Sequence, residues 1–413
     1  MIEVKDQMAL VVQKYGGSSV ADAGRIKNVA RRIATTRDEG NQVVVVVSAM
    51  GDTTDDLIEL AYKVATRPDV REFDTLLSTG ELVSSTLLAM ALKEMGYQAI
   101  SLSGAQAGIR TDSVYSRARI LKIEARRVVS ELEKGNIVIV AGFQGVTDEM
   151  DVTTLGRGGS DTTAVALAAS LGAGGCQIYT DVDGVYSADP RLVPQARPLA
   201  EIGYDEMLEL ATYGSRVMHP RAVELGELYG IPILVASSFS REPGTLIHGG
   251  ASMEVRNKVR GVAHDLDVAK ITVVGVSDRP GIASSIFRPL AEAGISVDTI
   301  VQNASIDNIT DLTFTVAKGD LAEAMRVIEP VAGSIEAKQC ISKTSLGKVS
   351  IVGTGMQNTP GYAAKMFQVL SEEGINIHMI TTSEIRITCI VDEAEVKKAV
   401  CALHRAFELE VQD

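Results

Sequence analysis

Five consecutive valines, residues 43–47, place the tightest constraint on the fold. A strand with one wet face alternates apolar and polar residues, because successive side chains point to opposite faces. An unbroken β-branched run has no polar face to show, so it reads as a parallel strand covered by helices on both sides. Similar short runs lie at Leu10-Val11-Val12, residues 137–140, Ile178-Tyr179 and residues 231–235. Between them, the spacing of Ile26, Val29, Ala30 and Ile33 predicts one buried helical face, and residues 82–95 and 161–171 predict two more helices. The pattern up to residue 245 is that of a βαβ-rich, doubly wound α/β domain.

The loop after each run is more informative than the run itself. The strand ends lead into Lys14-Tyr15-Gly16-Gly17-Ser18-Ser19, Ser48-Ala49-Met50-Gly51-Asp52-Thr53-Thr54, Ala141-Gly142-Phe143-Gln144-Gly145 and Thr180-Asp181-Val182-Asp183-Gly184. Ligands of open α/β sheets sit outside the carboxyl ends of the strands. A site built from several strand-end loops is therefore expected.

The sharpest of these features is Gly156-Arg157-Gly158-Gly159-Ser160-Asp161-Thr162-Thr163. Its glycines admit a ligand to the backbone amides, Ser160 or Asp161 is expected to cap the following helix, and the helix N-terminus with Arg157 favours an anion. By itself the stretch reads equally as a glycine-rich turn with an ordinary cap. Lys14 precedes its glycines and no GxxxxGK[ST] occurs, so its loop is not a Walker A loop. Glu81, in Ser78-Thr79-Gly80-Glu81, is expected at the start of the helix over 82–95, where the dipole favours a carboxylate. The acidic run from Thr180 to Arg191 lacks the closing Glu of a calcium loop and reads as a nucleotide-contacting segment. His219 is expected to be structural.

Beyond residue 245 the chain repeats itself. Arg279-Pro280-Gly281-Ile282-Ala283 matches Thr359-Pro360-Gly361-Tyr362-Ala363 at a constant offset that also aligns Phe287 with Phe367 and Leu290 with Leu370. Each copy fits a βαββαβ unit, and two copies are too few for a solenoid. The expected organisation is a catalytic domain over 1–245, a linker over 246–265, and small domains over 266–342 and 343–413.

The net charge of −13, from 40 basic and 53 acidic residues, argues against nucleic acid or an anionic membrane as the main partner. Cys176, Cys340, Cys389 and Cys401 form no CxxC pair, so no disulfide framework or zinc site is expected. With no apolar segment near the N-terminus, a cytoplasmic protein is expected.

Taken in order, KYGGSS at Lys14, VVVSAMGDTTD ending at Asp55, STGE at Glu81, TTLGRGGSDTTA over 153–164, TDVDGVYSADPR over 180–191 and MHPRA at Met218 resemble the aspartokinases of the amino-acid kinase superfamily, and the repeats resemble ACT domains. The resemblance implies a mainly parallel sheet sandwiched by helices, followed by two ferredoxin-like ACT domains. It implies transfer of a phosphoryl group from ATP, with Mg2+ carried by the nucleotide and no protein metal site, to the side-chain carboxylate of L-aspartate. Lys14 would neutralise the transferring group and Asp161 would organise Lys14. Arg157 would pair with the α-carboxylate and Glu81 would receive the α-ammonium, with Thr54, Gly158, Gly159 and Ser160 completing the substrate side. Gly16, Gly17, Ser48, Thr180, Asp181, Tyr186, Arg191, Arg216 and Val217 would line the nucleotide. Lysine, threonine or both would bind Asp278, Gly281, Ile282, Gln302 and Asn303 of the first copy, completed by Pro360, Gly361, Asn376, Ile377, Ser383 and Glu384 of the second. ACT pairing implies a homodimer or higher oligomer, and an internal start at Met253 would give an ACT-only subunit. Residues 1–7 read as an extension, and the length as that of a monofunctional kinase. Kinases of glutamate or N-acetylglutamate are the alternative, but such relatives generally lack tandem ACT domains; a non-catalytic amino-acid sensor is the other, opposed by the intact Lys14, Glu81, Arg157 and Asp161.

Overall fold

The valine run is a strand with all five side chains fully buried, each contributing about 1.5–3 kcal/mol of burial before entropy is counted. The computed structural model describes residues 9–215, 217–249, 259–303, 308–356 and 359–411. Arg216, Met253 and residues 1–7, all singled out above, lie outside the described residues. The chain divides into two units, residues 9–186 with 198–249, and residues 187–197 with 259–411. The expected boundary near 245 is thus crossed once. The stretch 187–197 leaves the first unit and packs Ala188 and Val193 into an apolar core of the second.

In the first unit, strands β1 (Leu10–Tyr15), β2 (Gln42–Val47), β3 (Ala99–Leu102), β4 (Ile109–Thr111), β5 (Ile120–Ile123), β6 (Ile137–Ala141), β7 (Gln144–Val146), β8 (Val152–Thr154), β9 (Cys176–Thr180), β10 (Glu201–Gly203), β11 (Ile233–Ser237) and β12 (Thr245–His248) form two sheets. The larger has the order β10-β12-β11-β9-β1-β2-β6-β3, and from β11 to β3 every pairing is parallel. The carboxyl ends of these strands therefore lie along one edge, as the loop chemistry requires. The smaller sheet runs β5-β4-β7-β8.

Helices α1 (Ala23–Asp38) and α3 (Val70–Glu94) cover one face of the large sheet, with Ile26, Val29, Ile33, Leu88 and Leu92 packed on Val43, Val45 and Ile139. Between them in sequence lies α2 (Thr53–Val64), and α4 (Arg126–Glu133) precedes β6. Helix α5 (Gly159–Leu171) packs on β1 and β2 and against α7 (Pro220–Tyr229), with α6 (Tyr204–Thr212) preceding α7. The first ten residues of α5 are all buried, which its small residues permit.

The second unit contains β13 (Gly261–Ser277), α8 (Ile282–Glu292), β14 (Ile300–Gln302), β15 (Ile309–Val316), α9 (Leu321–Ser334), β16 (Gln339–Val352), α10 (Tyr362–Glu372), β17 (Met379–Thr382), β18 (Arg386–Asp392) and α11 (Val396–Ala406). One sheet runs β14-β15-β13-β16-β18-β17. The first repeat is a complete βαββαβ unit. The second is not: α11 is its last regular element, and the position of its final strand is taken by Gly261–Asp265, which pairs with Lys348–Val352. The expected linker thus supplies a strand, and the first repeat is inserted into the second. Sequence periodicity conceals this because one continuous strand, β13, serves both repeats.

Candidate active site

The strand-end loops converge through short backbone contacts. Gly16 N–H donates to the Tyr179 carbonyl at 3.1 Å, Ser48 N–H to the Tyr15 carbonyl at 3.1 Å, and Gly51 N–H to the Gly17 carbonyl at 3.1 Å. The Thr180 carbonyl accepts from Ser238 N–H at 2.8 Å. Lys14, the fifth residue of β1, stands between β2 and β9, where the chain's strand order reverses. Its Nζ lies 2.7 Å from Asp161 Oδ1, with both side chains about a tenth exposed. Asp161 reaches it because α5 begins at Gly159.

Neither Ser160 nor Asp161 caps that helix. The N-cap is Gly158, in the left-handed region at φ +67°, with no side-chain cap bond. That conformation strongly favours glycine. A Cβ on Gly158 would also fall 2.3 Å from the His219 side chain, so His219 closes one side of the loop. His219 is otherwise structural: its Nδ1 caps α7 by accepting from Arg221 N–H at 3.2 Å, and burial lowers its pKa. Arg157 is exposed on this turn, and Thr54 is half-buried in the first turn of α2.

Glu81 is not at a helix start. Helix α3 begins at Val70 behind an Asp69 cap, so Glu81 sits in mid-helix, beyond the reach of the N-terminal dipole. It is 3% exposed. Gly80 brings the helix against the β2 loop, since a Cβ there would fall 2.8 Å from Ala49 Cβ. Glu81 Oε1 then accepts from Ala49 N–H at 3.1 Å, while Oε2 has no partner. Burial pushes its pKa up to about 8, opposed by the backbone hydrogen bonds. A buried carboxylate with one free oxygen is costly unless a cation meets it.

On the nucleotide side of the expected set, Thr180 Oγ1 lies 3.1 Å from Asp181 Oδ1, Tyr186 is half-buried with its pKa raised by burial, and Val217 is half-buried. Arg191 lies in the second unit, where it pairs with Asp189 at 2.8 Å. In the repeats, Gly281 and Gly361 cap α8 and α10 at φ +94° and +110°. Gln302 Nε2 approaches Asp278 Oδ1 at 3.4 Å, and the exposed Asn303 N–H donates to the Asp311 carbonyl. Ile282 points into the core instead, and Ile377 packs partly against one. Pro360, Asn376, Ser383 and Glu384 are exposed on the second repeat. The two effector halves do not meet in one chain. They follow the carboxyl ends of antiparallel strands β13 and β16, whose ladder runs from Gly261↔Val352 to Val274↔Gln339, a separation of roughly 40 Å at 3.3 Å per residue.

Three residues of the site had no role in the sequence reading, although Arg221 lies in MHPRA and Ala49 in VVVSAMGDTTD. Asp74 accepts four hydrogen bonds behind the Arg157 turn, Arg221 donates to the Leu155 and Ala118 carbonyls, and Ala49 serves Glu81 through its backbone. Asp74 lies outside every motif, and its signal was that of a second acid on the Glu81 face of one longer helix.

Residues 9–237 match the amino acid kinase family, and residues 270–333 and 349–407 each match an ACT domain. The chain is 52% identical over 402 residues to an aspartokinase of Bacillus sp. strain MGA3, covering 97% of this chain and 98% of the relative. It is 51% identical over 405 residues to an aspartokinase of Thermus thermophilus, covering 98% and 100%. Escherichia coli aspartokinase III is 26% identical over 96% of this chain and 99% of its own, with a TM-score of 0.81 for its complex with aspartate and ADP and 0.73 for its complex with lysine and aspartate. The chain therefore belongs to the amino acid kinase family, among its aspartokinases, with a pair of ACT domains joined to the kinase unit.

Proposed function

We propose that the strand-end site transfers the γ-phosphoryl group of ATP to the side-chain carboxylate of L-aspartate, giving 4-phospho-L-aspartate and ADP, the entry to lysine, threonine and methionine synthesis. The observation that carries the substrate assignment is the free Oε2 of buried Glu81, a seat for an α-ammonium group. Arg157 faces solvent with a planar fork suited to the α-carboxylate. Thr54, Gly158, Gly159 and Ser160 bound the substrate side.

The attacking carboxylate is ionised at neutral pH, so no general base is needed and the protein's work is positioning and charge stabilisation. Lys14, oriented by Asp161, meets the charge on the transferring group. Gly16, Gly17, Ser48, Thr180, Asp181, Tyr186, Arg216 and Val217 form the proposed nucleotide side, and Arg191, which belongs to the second unit, is left out of it. Mg2+ is assigned to the nucleotide's phosphates, where it would neutralise charge.

Lysine, threonine or both are the proposed inhibitors, in line with the lysine complex of the Escherichia coli relative. Because the effector halves lie at opposite ends of the β13–β16 ladder, a composite site needs a second chain, and a homodimer or larger assembly follows. A product begun at Met253 would keep every strand of the repeat sheet but lose Ala188 and Val193 from its core. Native mass spectrometry showing full-length chains alone would remove that subunit from the scheme.

The test is formation of aspartyl hydroxamate from ATP, aspartate and hydroxylamine, with and without lysine and threonine. Product from aspartate is expected; product from glutamate alone would overturn the assignment. Asp278→Ala should keep turnover and lose inhibition.

A further inference from the structure

Helix α3 carries a second buried carboxylate two turns before Glu81. Asp74 is fully buried, and seven positions along a helix return to the same face. Its Oδ2 accepts the backbone N–H groups of Ser116 at 2.8 Å and Thr154 at 2.7 Å. Its Oδ1 accepts the hydroxyls of Ser116 at 3.2 Å and Thr154 at 2.8 Å. With four donors in place, neither oxygen is available to a ligand.

The two segments held by Asp74 meet beneath the Arg157 turn. Ala118 N–H donates to the Thr154 carbonyl at 2.9 Å, and a Cβ on Gly156 would fall 3.0 Å from the Ser116 carbonyl. Ser116 itself is held at φ +64°, a left-handed conformation uncommon for serine. From α7, Arg221 donates to the Leu155 carbonyl at 2.8 Å and the Ala118 carbonyl at 3.0 Å. A carboxylate and a guanidinium from two helices thus grip the same pair of segments.

We propose that Asp74 is a positioning residue, tying the Arg157 turn to the rigid helix that presents Glu81 and so fixing the distance between the groups that receive the two ends of the amino acid. This rests on the reading that Arg157 and Glu81 bind aspartate. Glu81 takes its hydrogen bond from Ala49 and none from Asp74, whereas Asp74 is the α3 side chain that binds Thr154, two residues before the Arg157 turn. The bonds of Arg71 to Asp151 and of Gln144 to Ser78 hold the same sheet farther from the turn.

The test uses the full-length enzyme as Asp74→Leu, Asp74→Asn, Arg157→Ala and the Asp74→Leu/Arg157→Ala double variant, measuring kcat and the KM of each substrate. Asp74→Leu should raise the KM for aspartate about tenfold or more, the scale of losing hydrogen bonds to a charged group, and leave the KM for ATP within about twofold. Asp74→Asn should largely restore it, because the amide oxygen can accept the two N–H groups while the NH2 donates to the two hydroxyls. Added to Arg157→Ala, Asp74→Leu should cost little more, since its effect runs through the residue already removed. Equal KM rises for both substrates, additive losses, or an Asn variant as poor as Leu would each overturn the proposal. If Asp74→Leu does not fold, Thr154→Val and Ser116→Ala, each deleting one hydroxyl donor, carry the comparison, and an unchanged aspartate KM in both overturns it. An Arg157→Ala enzyme with a normal aspartate KM would bring down the substrate reading itself, whatever the Asp74 variants do.

Discussion

The ammonium of Lys14 and the carboxylate of Asp161 meet at 2.7 Å although one lies near the end of a strand and the other in the first turn of a helix, 147 residues later (161 − 14). Each is about a tenth exposed, so neither charge is well solvated without the other. The pair aims Lys14 at the strand ends, where a phosphoryl group would arrive.

Replacing Lys14 should therefore affect rate and stability together. Lys14→Ala is expected to lower turnover at least about a thousandfold, the scale of removing a preorganised charge from a transition state. Leaving Asp161 unpaired should cost about 3–5 kcal/mol of stability, read as a lowered thermal midpoint. A folded Lys14→Ala enzyme with near-normal hydroxamate production would sink the proposed mechanism.

Glu81 should make aspartate binding pH-dependent. Its pKa is raised from 4.5 to about 8 by burial, so at pH 7 the free site holds a mostly protonated acid. An incoming ammonium favours the carboxylate, and binding should release close to one proton, about 0.9 at pH 7. Titration calorimetry in buffers of different ionisation enthalpy measures this directly; a buffer-independent heat would contradict it.

The same group sets a stability trend. Below pH 4.5 Glu81 is protonated in folded and unfolded chains alike. Between there and about pH 8 the unfolded chain ionises while the folded one holds its proton, so stability falls as pH rises. The loss reaches roughly 5 kcal/mol above pH 8. Glu81→Gln should accordingly raise the thermal midpoint of the ligand-free protein at pH 8–9 while weakening aspartate binding. A lowered midpoint there would show that the carboxylate is already compensated.

Gly158 offers a test of loop geometry. Gly158→Ala must hold alanine at φ +67°, a cost of roughly 1–2 kcal/mol, and must displace the His219 side chain. Activity should fall sharply, and His219→Gly in the same chain should recover part of it by removing the clash, whose nearest atom is the His219 Cβ, but not the backbone strain. If the double variant is no better than the single, His219 does not shape the loop.

Much of this was legible before any coordinates. Buried parallel strands were readable because continuous valine leaves no polar face, and the site could be placed at their carboxyl ends because glycine, hydroxyl and charged residues cluster there. Lys14, Gly158 and Asp161 stood out for the same local reason. The environment of Glu81 did not: apolar spacing showed the helix over 82–95 but not its extension to Val70, because Ser78, Thr79 and Gly80 read as a start signal.

What the sequence determined alone was local: the strand run, the loop chemistry, the repeated ACT pattern, and by resemblance the family. Tertiary structure decided what depends on residues far apart in the chain. It left Glu81 with one unpartnered oxygen in mid-helix, gave Asp74 its four donors from a distant loop and a distant strand end, and lent Gly261–Asp265 to the second repeat. Periodicity reports which face of an element is buried; it carries no information about which other element buries it.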